Sequence, residues 1–231
     1  MNIIRSLAGL TRKDVDIALD ANDKDIWNKG NRVLYKLCAD YPDHTDDQAI
    51  VAKVWLIGRS YAAAVERGRV MDMNTQTSED FYREKVTTAL REAEIDELLQ
   101  NLKNRQPENA ADDADLIRSG LEVHVKLVQA LSPITGKSHR SFASKYLHFH
   151  VPDAFFIYDS IAAHGLSTLL PRYRVKDELC TKDQVDGIDD IYRTFVNKAH
   201  FLRGAIYERF SEKLTPRQLD RLLLRVGNEN T

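Results

Sequence analysis

Residues 135–160 read TGKSHRSFASKYLHFHVPDAFFIYDS, and this stretch says most about the fold. Phe142, Tyr146 and Phe149 follow one another at helical spacing, so they form an apolar face that packs a short helix against the core. Lys145 lies within that helix beside an aromatic residue. We therefore predict a core helix that carries a partly desolvated lysine.

The residues after this helix predict that the backbone turns sharply and runs back into the protein core. Pro152 ends the helix, because proline cannot continue its hydrogen bonding. The apolar run 155–158 is expected to be buried. Asp159-Ser160 then lies where a carboxylate caps the backbone N–H groups of a following helix. A lysine on one helix and an aspartate at the start of the next could face one cleft.

The rest of the chain also shows helical periodicity. Capping-box spacing at Thr45-Asp46-Asp47-Gln48 introduces a helix over 49–65, which we expect to be buried on most sides. A second box, Thr215-Pro216-Arg217-Gln218, introduces the last helix. Further helices are predicted over 78–102, 111–131 and 188–214.

Composition agrees with a helical globular protein. The 231 residues are 43% hydrophobic and 29% charged, and the chain has only 10 Gly and 6 Pro, which disfavours an all-β sandwich with many turns. We predict an all-α fold, a compact multi-helix domain spanning 1–231. Within it, 1–75 would form an N-terminal layer and 111–231 would carry the site.

The net charge of −2 hides an uneven distribution. Residues 72–115 contain twelve acidic and five basic residues, whereas 132–176 contain six basic and two acidic residues, and 198–231 contain seven basic and four acidic residues. A nucleic-acid-binding protein need not be basic overall if its basic residues share one face. The alternative is that these blocks are solvated helix faces.

Two features indicate the compartment. The two cysteines are too few for a disulfide scaffold and lack metal-ligand spacing. The first residues lack the apolar core of a signal peptide, and no apolar stretch reaches the roughly 18 residues of a membrane span. We expect a cytoplasmic protein with no membrane partner.

The pattern of a helix-borne lysine, a Pro break, an apolar run and a helix-capping aspartate resembles the helix–hairpin–helix DNA glycosylases. It is most similar to the 8-oxoguanine glycosylase-like (OGG-fold) proteins of bacteria. The resemblance covers about 30 residues. It implies a DNA N-glycosylase and abasic-site lyase in DNA repair, with DNA as partner and no cofactor.

The resemblance also implies catalytic roles. Lys145 would attack the sugar C1′, and Asp159 would stabilise the developing positive charge. The family hairpin usually reads Leu-Pro-Gly-Val-Gly just before the lysine, whereas 133–137 is Pro-Ile-Thr-Gly-Lys. Lys137, directly after the single glycine, is therefore the rival nucleophile.

The remaining binding residues follow from chemistry. A flipped base would need aromatic rings to stack on, for which the candidates are Trp55, Phe155, Phe156 and Tyr158. Phosphate contacts would come from Lys137, Arg140, Arg172 and Arg174.

A histidine pair and an arginine–glutamate pair could also suggest binding sites. His148 and His150 lie near other histidines, but residues two apart project from different sides of a helix, so we predict packing histidines and no metal site. Arg59 and Glu66 are expected to form an ion pair in the core rather than a phosphate site.

Two functional hypotheses remain. The first is the DNA glycosylase/lyase-like enzyme that acts through Lys145 and Asp159. The second is a non-catalytic helical nucleic-acid- or protein-binding factor, such as a bacterial regulatory or defence protein, on the same fold.

Overall fold

The computed structural model describes residues 7, 9–20, 27–68, 77–105, 110–171, 179 and 185–229. Of the described residues, 75% are helical, and none of them lies in a strand. The prediction of an all-α, compact multi-helix fold is confirmed.

Two compact units make up the chain. The described residues of 26–155 form one unit, and those of 1–25 and 156–231 form the other. These boundaries differ from those of the predicted parts, an N-terminal layer ending at residue 75 and a site-bearing part beginning at residue 111. The prediction that the chain is a single domain stays a prediction.

The larger unit contains the helices that precede Phe155. They are α2 (Asn28–Asp40), α3 (Asp47–Ser60), a 3-10 turn (Val65–Gly68), α4 (Ser78–Asp80), a π-helical turn (Phe81–Val86), α5 (Thr87–Glu92), α6 (Asp96–Asn104), α7 (Ala110–Thr135) and α8 (Arg140–His150).

The smaller unit combines one early helix with the last three. These are α1 (Arg12–Leu19), α9 (Ser160–Leu169), α10 (Asp190–Phe210) and α11 (Pro216–Glu229).

The capping predictions had different outcomes. At α11, the Thr215 N–H donates to Gln218 Oε1 at 2.8 Å and the Gln218 N–H donates to Thr215 Oγ1 at 3.2 Å, so that box is confirmed. At α3 the prediction is wrong. Asp46 is the cap there, and its Oδ1 accepts from the N–H groups of Gln48 and Ala49. A carboxylate competes well for this position.

The predicted helix over 78–102 is interrupted after α5, because the continuous helical stretch from Ser78 ends at Glu92 and α6 begins at Asp96. Glu94 has a left-handed backbone with φ of +48°, and Ile95 beside it is buried. The chain turns here so that α6 can bury Leu99 and Leu102 in the same core as α5. The apolar spacing alone did not reveal this turn.

Helix α3 is shorter than predicted, and one side of it is exposed. It ends at Ser60, after which Ala62 takes a positive φ and the Ala63 N–H donates to the Gly58 carbonyl at 2.8 Å. One stripe of the helix is buried, but Trp55 on the opposite side is 46% exposed. Most residues of 49–65 are buried or half-buried, as expected, and the exception is the side that carries Trp55.

A short hairpin joins α7 to α8 and positions the predicted site helix. Thr135 ends α7 by donating its hydroxyl to the Leu131 carbonyl at 2.8 Å. Gly136 and His139 have φ of +66° and +45°, which turns the chain within four residues. Helices α7 and α8 pack against each other.

Helices α9 and α11 of the smaller unit approach each other closely through two glycines. A Cβ atom at Gly165 would overlap the Leu223 carbonyl, and one at Gly227 would overlap the Ile161 carbonyl. Only a hydrogen side chain permits this backbone separation.

We predict that Gly165→Ala destabilises the smaller unit by about 3 kcal/mol, because the methyl group must push two backbones apart. Gly204→Ala is the matched control. A Cβ atom there meets nothing within 4 Å, so the helix should gain roughly 0.5–1 kcal/mol. Urea unfolding of both variants checks this, and equal midpoints would contradict the close packing.

Candidate functional site

Helix α8 lies in the middle of the larger unit and is buried along nearly its whole length. All residues from Phe142 to His150 are buried, including one lysine and two histidines. Helices α2, α3 and α7 pack against it. Because buried polar groups need partners, the hydrogen bonds of this helix define the candidate site.

One buried chain of hydrogen bonds joins α6 to α8 through His44. The backbone N–H of His44 donates to Asp96 Oδ2 at 3.0 Å, and its Nδ1 bonds to the other oxygen of that carboxylate. On the far side, the phenol of Tyr146 lies 2.7 Å from His44 Nε2. The loop before α3 is thereby tied to both helices.

The protonation states of His44 and Asp96 follow from their hydrogen-bond partners. An ionised carboxylate only accepts, so Nδ1 of His44 carries the proton and Nε2 accepts from the Tyr146 hydroxyl. Burial lowers the pKa of His44, although Asp96 opposes this effect. Burial would raise the pKa of Asp96, but hydrogen bonds from His44 outweigh it and the pKa is lowered.

His150 lies beside these hydrogen-bonded groups. Its ring stacks on His44 at 5.5 Å and lies 4.9 Å from the Tyr146 ring. Neither ring nitrogen makes a hydrogen bond of standard geometry within the described residues, although a contact with the Pro42 backbone opposes the lowering of its pKa. Burial lowers its pKa well below the usual value, and the nearby cation Lys53 acts in the same direction.

Lys53 is a fully buried lysine on α3. Its Nζ donates to the carbonyls of Tyr41 at 2.9 Å and Asp43 at 2.8 Å. Burial lowers its pKa. Its ammonium therefore holds the loop that carries His44.

His148 ties α8 in a different direction. Its Nδ1 donates to the Phe155 carbonyl at 3.0 Å, and its Nε2 lies 2.7 Å from the Tyr35 hydroxyl of α2. This histidine fixes the chain after Pro152 as well as α2.

Lys145, the predicted nucleophile, is 2% exposed. Its Nζ donates to Ser141 Oγ one turn earlier, at 2.8 Å. The prediction of a helix-borne, desolvated lysine is therefore correct, and burial is more complete than expected.

Two other buried groups are unsuited to nucleophilic attack. Burial raises the pKa of the Cys38 thiol to about 12. It also raises the pKa of Tyr146 well above its usual value. Both groups keep their protons at neutral pH.

Asp159 is the cap of α9, as predicted. Its Oδ1 accepts from the Ala162 N–H at 2.8 Å. Asp159 belongs to the smaller unit, whereas Lys145 belongs to the larger one. Their shared role stays a prediction.

The predicted base-pocket aromatics lie in three environments. Phe155 is in the core of the larger unit. Phe156 is buried in the smaller unit, where its carbonyl accepts from the Tyr192 hydroxyl, and Tyr158 packs edge-on to Phe195. Trp55 lies in a groove whose lining includes no residue of α8. Their role in base binding stays a prediction.

The predicted phosphate-binding residues are only partly described. Lys137 is exposed in the hairpin, and Arg140 is half-buried at the start of α8. Arg172 and Arg174 lie outside the described residues. The N-cap residue of α8, His139, makes no side-chain capping hydrogen bond.

The other patterns singled out in the sequence are placed as follows. Arg59 and Glu66 form the expected ion pair, but the Arg59 side chain is half exposed rather than in the core. In the described ranges, no group of three His, Cys, Asp or Glu side chains is arranged to hold a metal ion. No helix there is long and apolar enough to cross a membrane.

Sequence reasoning missed the His44, Asp96 and Lys53 cluster. His44 and Asp96 are 52 positions apart, and no local pattern joins them. Lys53 did give a signal, since it lies on the apolar stripe that contains Ile50, Val54 and Ile57. A lone lysine on such a stripe predicts a buried ammonium with carbonyl partners.

We predict that the larger unit loses stability as the pH falls from about 6.5, the usual histidine pKa of an unfolded chain. The lowered pKa values of His44 and His150 mean that the unfolded chain binds protons that the folded unit does not. The loss reaches up to about 1.4 kcal/mol per pH unit for each histidine. His150→Phe should reduce the slope, and the exposed His164→Gln should not. Urea unfolding between pH 7 and 5 measures it, and a parallel slope for His150→Phe would contradict the prediction.

We also predict that Lys53→Met destabilises the larger unit by about 3 kcal/mol, because two carbonyls lose their buried donor. Lys36→Met, which removes an exposed ion pair with Asp40, should change stability by under about 0.5 kcal/mol. Chemical unfolding at pH 7 compares them. Similar losses for both variants would refute the assigned role of Lys53.

Searches of curated proteins and of solved structures found no match to this chain. The family model HI_0787_N, described as an N-terminal domain, matches residues 14–154. The match includes α8 with Lys145 and ends before Asp159. Because it covers more than half of the chain, the protein belongs to the HI_0787_N family.

Proposed function

We propose that the protein is a DNA glycosylase/lyase-like enzyme in which the amine of Lys145 attacks the sugar of damaged or abasic DNA. The observation that carries the proposal is a lysine removed from water, on the helix that follows a tight helix–hairpin–helix turn. Burial disfavours the ammonium relative to the neutral amine, which is the nucleophilic form.

The chemistry on an abasic site balances without a cofactor. The Lys145 amine adds to the C1′ aldehyde, and water leaves to give a Schiff base. Loss of a C2′ proton then expels the 3′ phosphate and breaks the strand. Hydrolysis of the Schiff base releases the sugar fragment and restores the amine.

Ser141 supports this role. Its hydroxyl accepts from Lys145 Nζ at 2.8 Å, and a hydroxyl can serve either the ammonium or the neutral amine. Because Lys145 is 2% exposed, the reaction includes a step in which the covering groups move aside.

DNA would be held by the hairpin before α8. Lys137 is exposed there, and a helix N-terminus such as that of α8 is a favourable place for a phosphate. For Asp159 we propose the charge-stabilising role that the glycosylase resemblance implies. We also propose a cytoplasmic location, where the buried Cys38 stays a free thiol.

Borohydride trapping tests the nucleophile. The full chain, incubated with an oligonucleotide that contains one abasic site, should form a covalent adduct on reduction. Lys145→Ala should lose the adduct, whereas Lys126→Ala on the exposed face of α7 should retain it. Circular dichroism of both variants checks that the fold is intact.

The outcomes separate the candidates. An adduct that persists in Lys145→Ala but disappears in Lys137→Ala would move the nucleophile to the hairpin. Asp159→Asn should slow base release more than trapping, with stability measured alongside because it also removes a helix cap. No adduct with the wild type would favour a non-catalytic nucleic-acid- or protein-binding factor.

A further inference from the structure

A groove on the surface of the larger unit is formed by α3 and the turn that contains α4. We call it the Trp55 groove. Its volume is about 750 Å³, within the range of ligand sites. Its lining includes Asp47, Val51, Ala52, Trp55, Glu79 and Tyr82.

The groove offers an open aromatic face above an apolar floor. Trp55 is 46% exposed, although large aromatic side chains usually bury most of their area. Val51 and Ala52 are half-buried beside it, and Tyr82 is buried beneath. Across the described ranges, no cation lies over the indole ring. The strongest cation–π acceptor among the side chains is therefore unused.

The charges around the groove are mainly negative. The carboxylates in or next to it belong to Asp46, Asp47, Glu66, Glu79, Asp80 and Glu84, and the guanidiniums belong to Arg59, Arg83 and Arg91.

Most of these charges already have partners. Arg83 pairs with Asp80 and Glu84, and Arg91 pairs with Asp47. Asp46 caps α3, and Asp80 also completes the capping box of α4.

Glu79 differs from these neighbours. It is exposed and forms no ion pair of its own within the part of the chain that the structure describes, although its charge also acts on Arg83. An aromatic face, a hydrocarbon floor and an exposed carboxylate match a cation carried on an aliphatic stem. The same negative charges would repel a phosphate backbone.

We propose that the Trp55 groove binds a basic peptide segment of a partner protein. A lysine or arginine side chain of that segment lies with its stem on Val51 and Ala52, its cation over the Trp55 indole and against the Glu79 carboxylate. The groove contains no residue of α8, so this binding is separate from the chemistry proposed for Lys145.

Calorimetric titration of the full chain with a hexalysine peptide tests the proposal. Saturable binding should weaken by about 5-fold in Trp55→Ala and in Glu79→Gln, the scale of an exposed cation–π contact or a single ion pair. Glu122→Gln, an exposed carboxylate on α7, should leave the affinity unchanged. In a Trp27→Phe background, emission from Trp55 should change as the peptide binds.

Several results would overturn the proposal. These are no saturable binding, an equal loss in Glu122→Gln, or the same affinity in Glu79→Gln as in wild type. An oligo-dT strand that binds at Trp55 more tightly than hexalysine would make the groove a nucleic-acid site instead. If Trp55→Ala fails to fold, Glu79→Gln and the Trp55 emission decide the outcome.

Discussion

The larger unit depends on one constraint, which is that α8 is buried while carrying polar side chains at Ser144, Lys145, Tyr146, His148 and His150. Leaving such groups without partners would cost more than the apolar contacts of one helix can offset. Two histidines supply these partners. His44 links the Tyr146 phenol to Asp96 of α6, and His148 bonds to α2 and to the Phe155 carbonyl. The positions of the surrounding elements follow from these bonds as much as from apolar packing.

His150 is the exception within that arrangement. Its ring contributes area to an aromatic stack while its two nitrogens make no hydrogen bond of standard geometry in the described structure. A phenylalanine would fill the space without this desolvation cost. The histidine thus makes stability depend on pH, since the neutral ring is tolerated in the core and the protonated ring is not.

Local signals in the sequence predicted the helices and several of their ends. The Asp159 cap and the Thr215 box depend on neighbouring residues, so their spacing sufficed. The exposure of Trp55 was harder to predict, because a count of apolar residues does not show which side of a helix is covered by another element. The pairing of His44 with Asp96 was beyond reach, because only the tertiary fold brings together residues 52 positions apart.

The family match separates the residues that the two proposed reactions would need. It ends at residue 154, and the larger unit ends at residue 155, so the part shared with the family is nearly this unit together with part of α1. A reaction that needs the Lys145 amine alone could operate in any family member with that lysine. A reaction that also needs the Asp159 carboxylate requires the segment beyond the match. Abasic-strand cleavage and base release differ in this respect, since the Schiff base forms on an aldehyde already present whereas base release builds positive charge on the sugar. In the proposed mechanism, abasic-strand cleavage would therefore need only the unit shared with the family, and base release would also need the residues that follow it.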